Sequence, residues 1–258
     1  MARVQKYTDA AVVNQIRHCK RETKHNSNTD IDSERTYLNY SLTPRRKISE
    51  YEYYKQRKAE LYCYHRADVK TLASWVVTVP KDIEDSVQIH QFFKTTSDFL
   101  IQRYGLENVI AIECHFDEGK MEKMKDRWTG NYITDENGNV KQELVLGRPH
   151  LHFLFIPVAP DRNKKHFQTE KICANDVLTK TELKRFHSSL KKYLKSNHCP
   201  GADGIINGAT KAQGRNYSVA EMKEYYDMKQ ELERLRNVEL KYNMQVQRDR
   251  SSERIGRW

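Results

Sequence analysis

The chain has 258 residues, of which 38% are hydrophobic and 31% charged, enough for one substantial core and a helical appendage. Lys and Arg number 45 against 35 Asp and Glu, and the resulting formal charge of +10 favours a polyanionic partner without identifying one. No apolar run approaches the length of a membrane span and MARVQKYTD lacks the apolar stretch of a secretion signal, so the chain is expected to stay in the cytoplasm. The 5 cysteines form no CxxC pair, which argues against a disulfide framework or a zinc knuckle and suits a reducing compartment; Cys19 stands out because Arg17, His18, Lys20 and Arg21 surround it, although it too reads as a core filler.

A short strand over residues 3–7 leads into a helix predicted over 9–22, which places His18 and Arg21 on neighbouring turns. A polar loop covers 25–32. In RTYLNYSLTPRRK, residues 35–47, aromatic and basic side chains interleave; this suits a groove in which bases stack and phosphates are neutralised, or else a loop that Tyr37, Leu38 and Tyr40 anchor in the core. Residues 48–68 read as a tyrosine-rich helix, ASWVVTV at 73–79 as a strand closed by Pro80, and 83–104 as a helix ended by Gly105.

The most informative stretch is GRPHLHFLFIPV, residues 147–158. Strand side chains alternate, so His150 and His152 project from one face, with Leu154 and Ile156 continuing it, while Leu151, Phe153 and Phe155 line the other. Such a strand is central and covered on both sides. NVIAIECHF, residues 108–116, is a second strand ending in His115, with Asp117 and Glu118 directly after it. If the two strands are neighbours, three neutral imidazoles converge on one cation and a nearby carboxylate supports its shell. The intervening residues 120–148 carry DENGNV, an Asn-Gly turn signal for a β-hairpin excursion that returns the chain to where it left.

Residues 166–173 follow as a further strand, and 181–196 as a basic helix carrying Lys184, Arg185, Lys191, Lys192 and Lys195. A Gly-rich loop spans 200–214. Ser218 and Glu221 form a capping box for a helix running towards Val246, a docking helix or the start of a dimer arm, and a loose polar end closes on Trp258. The simplest arrangement is an α+β fold, an antiparallel sheet with helices packed on one side, plus the C-terminal helix.

These residues resemble the metal strand of the HUH endonucleases, in particular the MobV (Mob/Pre) relaxases that mobilise plasmids and related elements. ARVQK at 2–6, TDIDSERTYLNYSL at 29–42, KICANDVLTKTELKRFHSSLKKYL at 171–194 and YSVAEMK at 217–223 are also similar to segments of that family. Two departures stand out: the 120–148 insert separates HxDE from PHxH, and HCKR, residues 18–21, holds Cys19 where the family sets Asn.

The resemblance implies a catalytic domain over 1–217 and a helical extension over 218–258. It implies metal-dependent, strand-specific DNA nicking and strand transfer at an origin of transfer, through a covalent protein–DNA intermediate. His115, His150 and His152 would hold the cation; imidazoles alone point to zinc, whereas the resemblance favours Mn2+ or Mg2+. His18 would be the nucleophile, with Tyr40 as the alternative, Arg21 would stabilise the charge on the phosphate, and Glu118 and Asp117 would support the metal shell or take a proton. Arg35, Asn39 and Tyr40 move to the rim of the site, and Lys184, Arg185, Lys191 and Lys192 would contact DNA, single-stranded or hairpin. Relaxosome or coupling proteins are expected partners. A rolling-circle replication initiator, a catalytically inactive DNA-binding module and, more weakly, a zinc hydrolase are the alternatives; no HExxH motif supports the last.

Overall fold

The computed structural model describes residues 2–23, 30–126, 129–205, 228, 231, 232 and 234–238. In chain order the elements are β1 (Ala2–Thr8), α1 (Val12–Cys19), β2 (Tyr40–Ser41), α2 (Glu50–Glu60), β3 (Lys70–Thr78), α3 (Ser86–Tyr104), β4 (Val109–His115), β5 (Gly119–Lys123), β6 (Gln142–Leu146), β7 (His150–Phe155), β8 (Val158–Pro160), β9 (Glu170–Ile172), α4 (Ala174–Val177) and α5 (Lys180–Ser196). Five strands form one antiparallel sheet in the order β1-β3-β7-β4-β2. The histidine strand β7 is therefore central, and all of its residues are buried.

Helices cover both faces of this sheet, not one. On one face Leu151, Phe153 and Phe155 join Trp75 and Val77 of β3 beneath Phe92, Phe93 and Leu100 of α3 and Phe186, Leu190 and Leu194 of α5. On the other, Leu154 and Ile156 continue the histidine side, and the stripe of Val12, Ile16 and Cys19 on α1, with Tyr54 of α2, covers them. A one-sided arrangement would have left that second apolar set in water. The first core is built around Trp75, stacked on Phe186 at 3.6 Å between ring centroids while its indole N–H donates to the Tyr104 hydroxyl at 2.8 Å. Phe186→Ala is expected to cost about 3–5 kcal/mol, read as a lower midpoint in denaturant unfolding.

Several predicted elements are shorter than their patterns. The helix expected over 9–22 is a 3-10 turn followed by α1, which ends at Cys19, and Arg21 lies beyond it at φ 57. The helix expected over 48–68 opens with a Ser49–Glu52 capping box and stops at Glu60, leaving Tyr62 and Tyr64 outside it. Of the strand expected over 166–173, only Glu170–Ile172 is extended as β9.

The insert is a hairpin. β5 pairs β6 with Gly119 opposite Leu146, Gly138 adopts φ 81 in the Asn-Gly turn, and the Gly147 N–H donates to the Glu118 carbonyl at 2.8 Å. The excursion therefore closes where it opened.

The chain divides into two units, Met1–Asn207 and Gly208–Trp258. In the second, the described residues are helical, and Met228, Leu232 and Leu235 are exposed. The capping box at Ser218 and Glu221, most of the polar loop, the latter part of the Gly-rich loop and Trp258 lie outside the described residues. Among the described residues no helix is long and apolar enough to cross a membrane.

Candidate metal and catalytic centre

The register of the sheet assembles the histidines. His115 of β4 stands directly opposite His150 of β7, and Glu113 opposite His152, so all four share one face. The ring centroids of His115, His150 and His152 lie 5.4, 4.7 and 5.0 Å apart. Glu118, held at the mouth of the insert hairpin, completes a set of potential ligands whose donor atoms all lie within 4.8 Å of one another. Sequence reasoning placed Glu118 near the metal; the chain's reversal there turns the carboxylate inward beside His150, 3.6 Å from its Nε2.

The chemistry of these atoms fits a cation. Both ring nitrogens of His152 are buried with no hydrogen-bond partner among the described residues, a costly state unless a lone pair is offered to a metal. Burial above all, then the neighbouring charges of His150 and His115, holds His152 far below the usual histidine range, which keeps it neutral and able to donate that pair. His115 is also held down, by burial and then Arg21. Its Nε2 lies 2.7 Å from the Cys19 carbonyl, which assigns the proton to Nε2 and leaves Nδ1 as the lone-pair nitrogen. That Nδ1 receives Arg21 Nη2 at 3.0 Å, so the arginine addresses the very nitrogen His115 can offer a metal.

Arg21 organises the carboxylates. Its Nε and Nη2 donate to the two Asp117 oxygens at 2.9 and 2.8 Å, and Nη2 also reaches Glu118 at 2.9 Å. Although burial raises the pKa of both acids, Arg21 followed by Asn39 outweighs it at Asp117, and His150 followed by Arg21 outweighs it at Glu118, so both stay ionised. The left-handed backbone at Arg21 aims the guanidinium back under the sheet, a placement that a helical continuation would not give.

His18, on the last turn of α1, brings its ring 6.3 Å from that of His152. It is half-buried, and burial followed by Arg21 lowers its pKa. Tyr40 is not brought to this cluster. It pairs with Cys114, packs against Phe93 and Phe116 on the opposite face of the sheet, and shares a hydrogen bond with His90 at 2.9 Å. Burial pushes its phenol well above the ordinary tyrosine value.

The interleaved segment braces the site more than it opens a groove. Asn39 donates to Asp117 at 2.7 Å and accepts the Phe116 N–H at 2.7 Å, and the Thr36 hydroxyl adds a bond to Asp117 at 3.0 Å. Asn39 is thus a positioning residue. Sequence reasoning missed Thr36; its place three residues before Asn39 in a 3-10 turn was the available signal. Arg35 lies half-buried within this turn, its Nε without a partner among the described residues. Arg46 caps the Ile110 and Val109 carbonyls at 3.0 and 2.6 Å while lying over the Tyr53 ring. Burial drives the Cys19 thiol up to about 12, consistent with a core filler that serves the site through its carbonyl.

Lys184, Arg185, Lys191 and Lys192 are not gathered at the histidines. They lie on α5, whose buried Phe186, Leu190 and Leu194 pack on the far face of the sheet, and Lys191 pairs with Asp203 at 3.4 Å.

An antiparallel sheet that brings three histidines together on a central strand pair, with Glu118 at the mouth of the adjoining hairpin and a fourth histidine on the covering helix, forms a candidate metal centre. The chain belongs to the family described as Plasmid recombination enzyme (Mob_Pre), which matches residues 1–218. A plasmid recombination enzyme of Lactiplantibacillus plantarum is 26% identical over 225 residues, covering 84% of this chain and 50% of that protein. One of Streptococcus agalactiae is 24% identical over 231 residues, covering 86% of this chain and 38% of its own. The chain therefore spans half or less of these relatives. Among solved structures, the Mn-bound MobM relaxase domain in complex with plasmid pMV158 oriT DNA shares the fold, with a TM-score of 0.60 and 23% identity over 87% of this chain and 97% of that one.

Proposed function

We propose that this chain is a relaxase: it nicks one DNA strand at an origin of transfer and transfers it through a covalent intermediate, in mobilisation of a plasmid or integrative element. The observation that carries this reading is the cluster of His115, Glu118, His150 and His152 with His18 beside it, in a chain of the plasmid recombination family. A divalent cation held by that cluster, Mn2+ or Mg2+ rather than Zn2+, would polarise a phosphate oxygen as a Lewis acid.

The residues divide the remaining work. His18, kept neutral by burial, attacks phosphorus through a ring nitrogen; the N–P bond forms, the P–O3′ bond breaks, and the 3′ oxygen leaves as a hydroxyl, taking through water the proton that the ring's other nitrogen gives up. The 5′ end stays on the protein and conserves the bond energy for religation. Arg21, anchored by Asp117, supplies positive charge beside the phosphate, and Asn39 and Thr36 fix Asp117 in turn. Arg35 sits at the rim. A tyrosine-based replication initiator fits less well, because Tyr40 packs on the other face. The DNA is single-stranded or a hairpin, the compartment is the bacterial cytoplasm, and relaxosome or coupling proteins are the partners; the exposed Met228, Leu232 and Leu235 offer a helix face for dimerisation.

The test is relaxation of a supercoiled plasmid carrying the candidate origin, with Mn2+ or with a chelator. Metal-dependent open circles support the reading. Binding without relaxation would make the chain an inactive DNA-binding module.

A further inference from the structure

The loop joining β8 to β9 lies at the other end of the central strand from the histidines. Ile156 lies six residue steps beyond His150 along β7 and its continuation, about 20 Å of strand. The turn is braced from within. Asp161, its side chain 4% exposed, holds His166 at 2.5 Å and accepts the Asn163 N–H at 3.0 Å, while its own N–H donates to Thr169 at 2.8 Å. Tyr62 stacks on the His166 ring at 3.5 Å between centroids, and Asn163 accepts the Lys165 N–H at 3.1 Å.

What this brace presents is unusual for a surface loop. Phe167 is 98% exposed, and Arg162, Lys164 and Lys165 stand exposed around it in sequence. None of these three cations has an ion pair among the described residues, whereas the nearby acids are taken: Asp161 by His166, Glu170 by Arg57 at 2.7 Å and Asp176 by Lys171 at 2.8 Å. A bare aromatic ring costs free energy in water and gives nothing to the core, and a fixed loop spends no ordering entropy when it binds. Cations recognise phosphates, and a ring with both faces open stacks on any unpaired base. A protein partner would call for a broader apolar patch than one ring among three charges.

We infer that the braced loop around Phe167 is a second nucleic-acid contact, which grips unpaired bases of the DNA strand remote from the scissile phosphate and so sets how the strand runs across the sheet end. This inference rests on the relaxase reading of the histidine centre.

The test compares long and short single-stranded DNA of mixed sequence, both containing the candidate nick site, binding to the whole chain across a salt series. Phe167→Ala is expected to weaken the long strand about tenfold, and Phe167→Tyr to retain its affinity. Joint replacement of Arg162, Lys164 and Lys165 by Gln is expected to lower the salt slope for the long strand by about two. The short strand binds wild type and variants alike. Because all four side chains are exposed, thermal midpoints and Mn2+ binding should match wild type. Unchanged affinity and slope on the long strand, with wild type still nicking, would overturn this inference alone; a wild-type chain that neither binds nor nicks either strand would overturn the relaxase reading and the inference with it.

Discussion

His152→Ala is expected to reduce metal-dependent nicking by more than about a hundredfold while leaving DNA affinity in place. The two losses separate because the imidazole serves the metal, whereas phosphate neutralisation by exposed Lys and Arg carries most of the affinity. A thermal readout guards against misfolding. Wild type should gain stability with Mn2+, since a ligand that binds only the folded state raises its midpoint, and the variant should lose that gain. Its metal-free midpoint should change less than for a core aromatic, because truncation also removes two buried nitrogens that have no hydrogen-bond partner among the described residues. Nicking that survives in a folded His152→Ala protein would remove the histidine cluster from the mechanism.

The second large effect concerns the nucleophile. His18→Ala should form no covalent DNA adduct, whereas Tyr40→Phe should form it at a near-normal rate, because His18 faces His152 across the cluster and Tyr40 packs behind the sheet on Phe93 and Phe116. The linkage itself discriminates: a phosphoramidate on histidine falls apart in mild acid, whereas a tyrosine phosphodiester survives. The pH profile gives a further check. Burial and Arg21 lower the folded pKa of His18 below its ordinary 6.5, so protonation of the ring, and the loss of adduct formation that follows from it, should set in at lower pH than for a free imidazole. An acid-stable adduct that vanishes in Tyr40→Phe would reverse the assignment.

The alternation of β7 made its two faces legible in the sequence, because period-two geometry leaves no choice once a residue is known to be in a strand. His115 could be matched to His150 only on the condition that their strands are neighbours, and the observed register meets that condition. The insert hairpin was legible for a similar reason, since Asn-Gly specifies a turn and a hairpin returns to its origin. Other features were not. Helix ends at Cys19 and Glu60 depend on tertiary contacts that override propensity, and so the left-handed placement of Arg21 was hidden. The basic run of α5 was visible in the sequence, but nothing in a charge run says which face of a sheet the helix covers, so its place opposite the histidines was not. Asn39 was visible as a motif residue, yet its bond to Asp117 joins positions far apart in the chain, which local pattern cannot reveal.

The most direct measurement of the central claim is to incubate the wild-type chain with candidate origin DNA labelled on the 3′ side of the nick, with Mn2+ or with a chelator, and to resolve the protein on a denaturing gel. The account predicts label covalently attached to the protein through a 5′ phosphate with Mn2+, and none with the chelator. Cleavage that leaves all label on free DNA, or an adduct indifferent to metal removal, would contradict it.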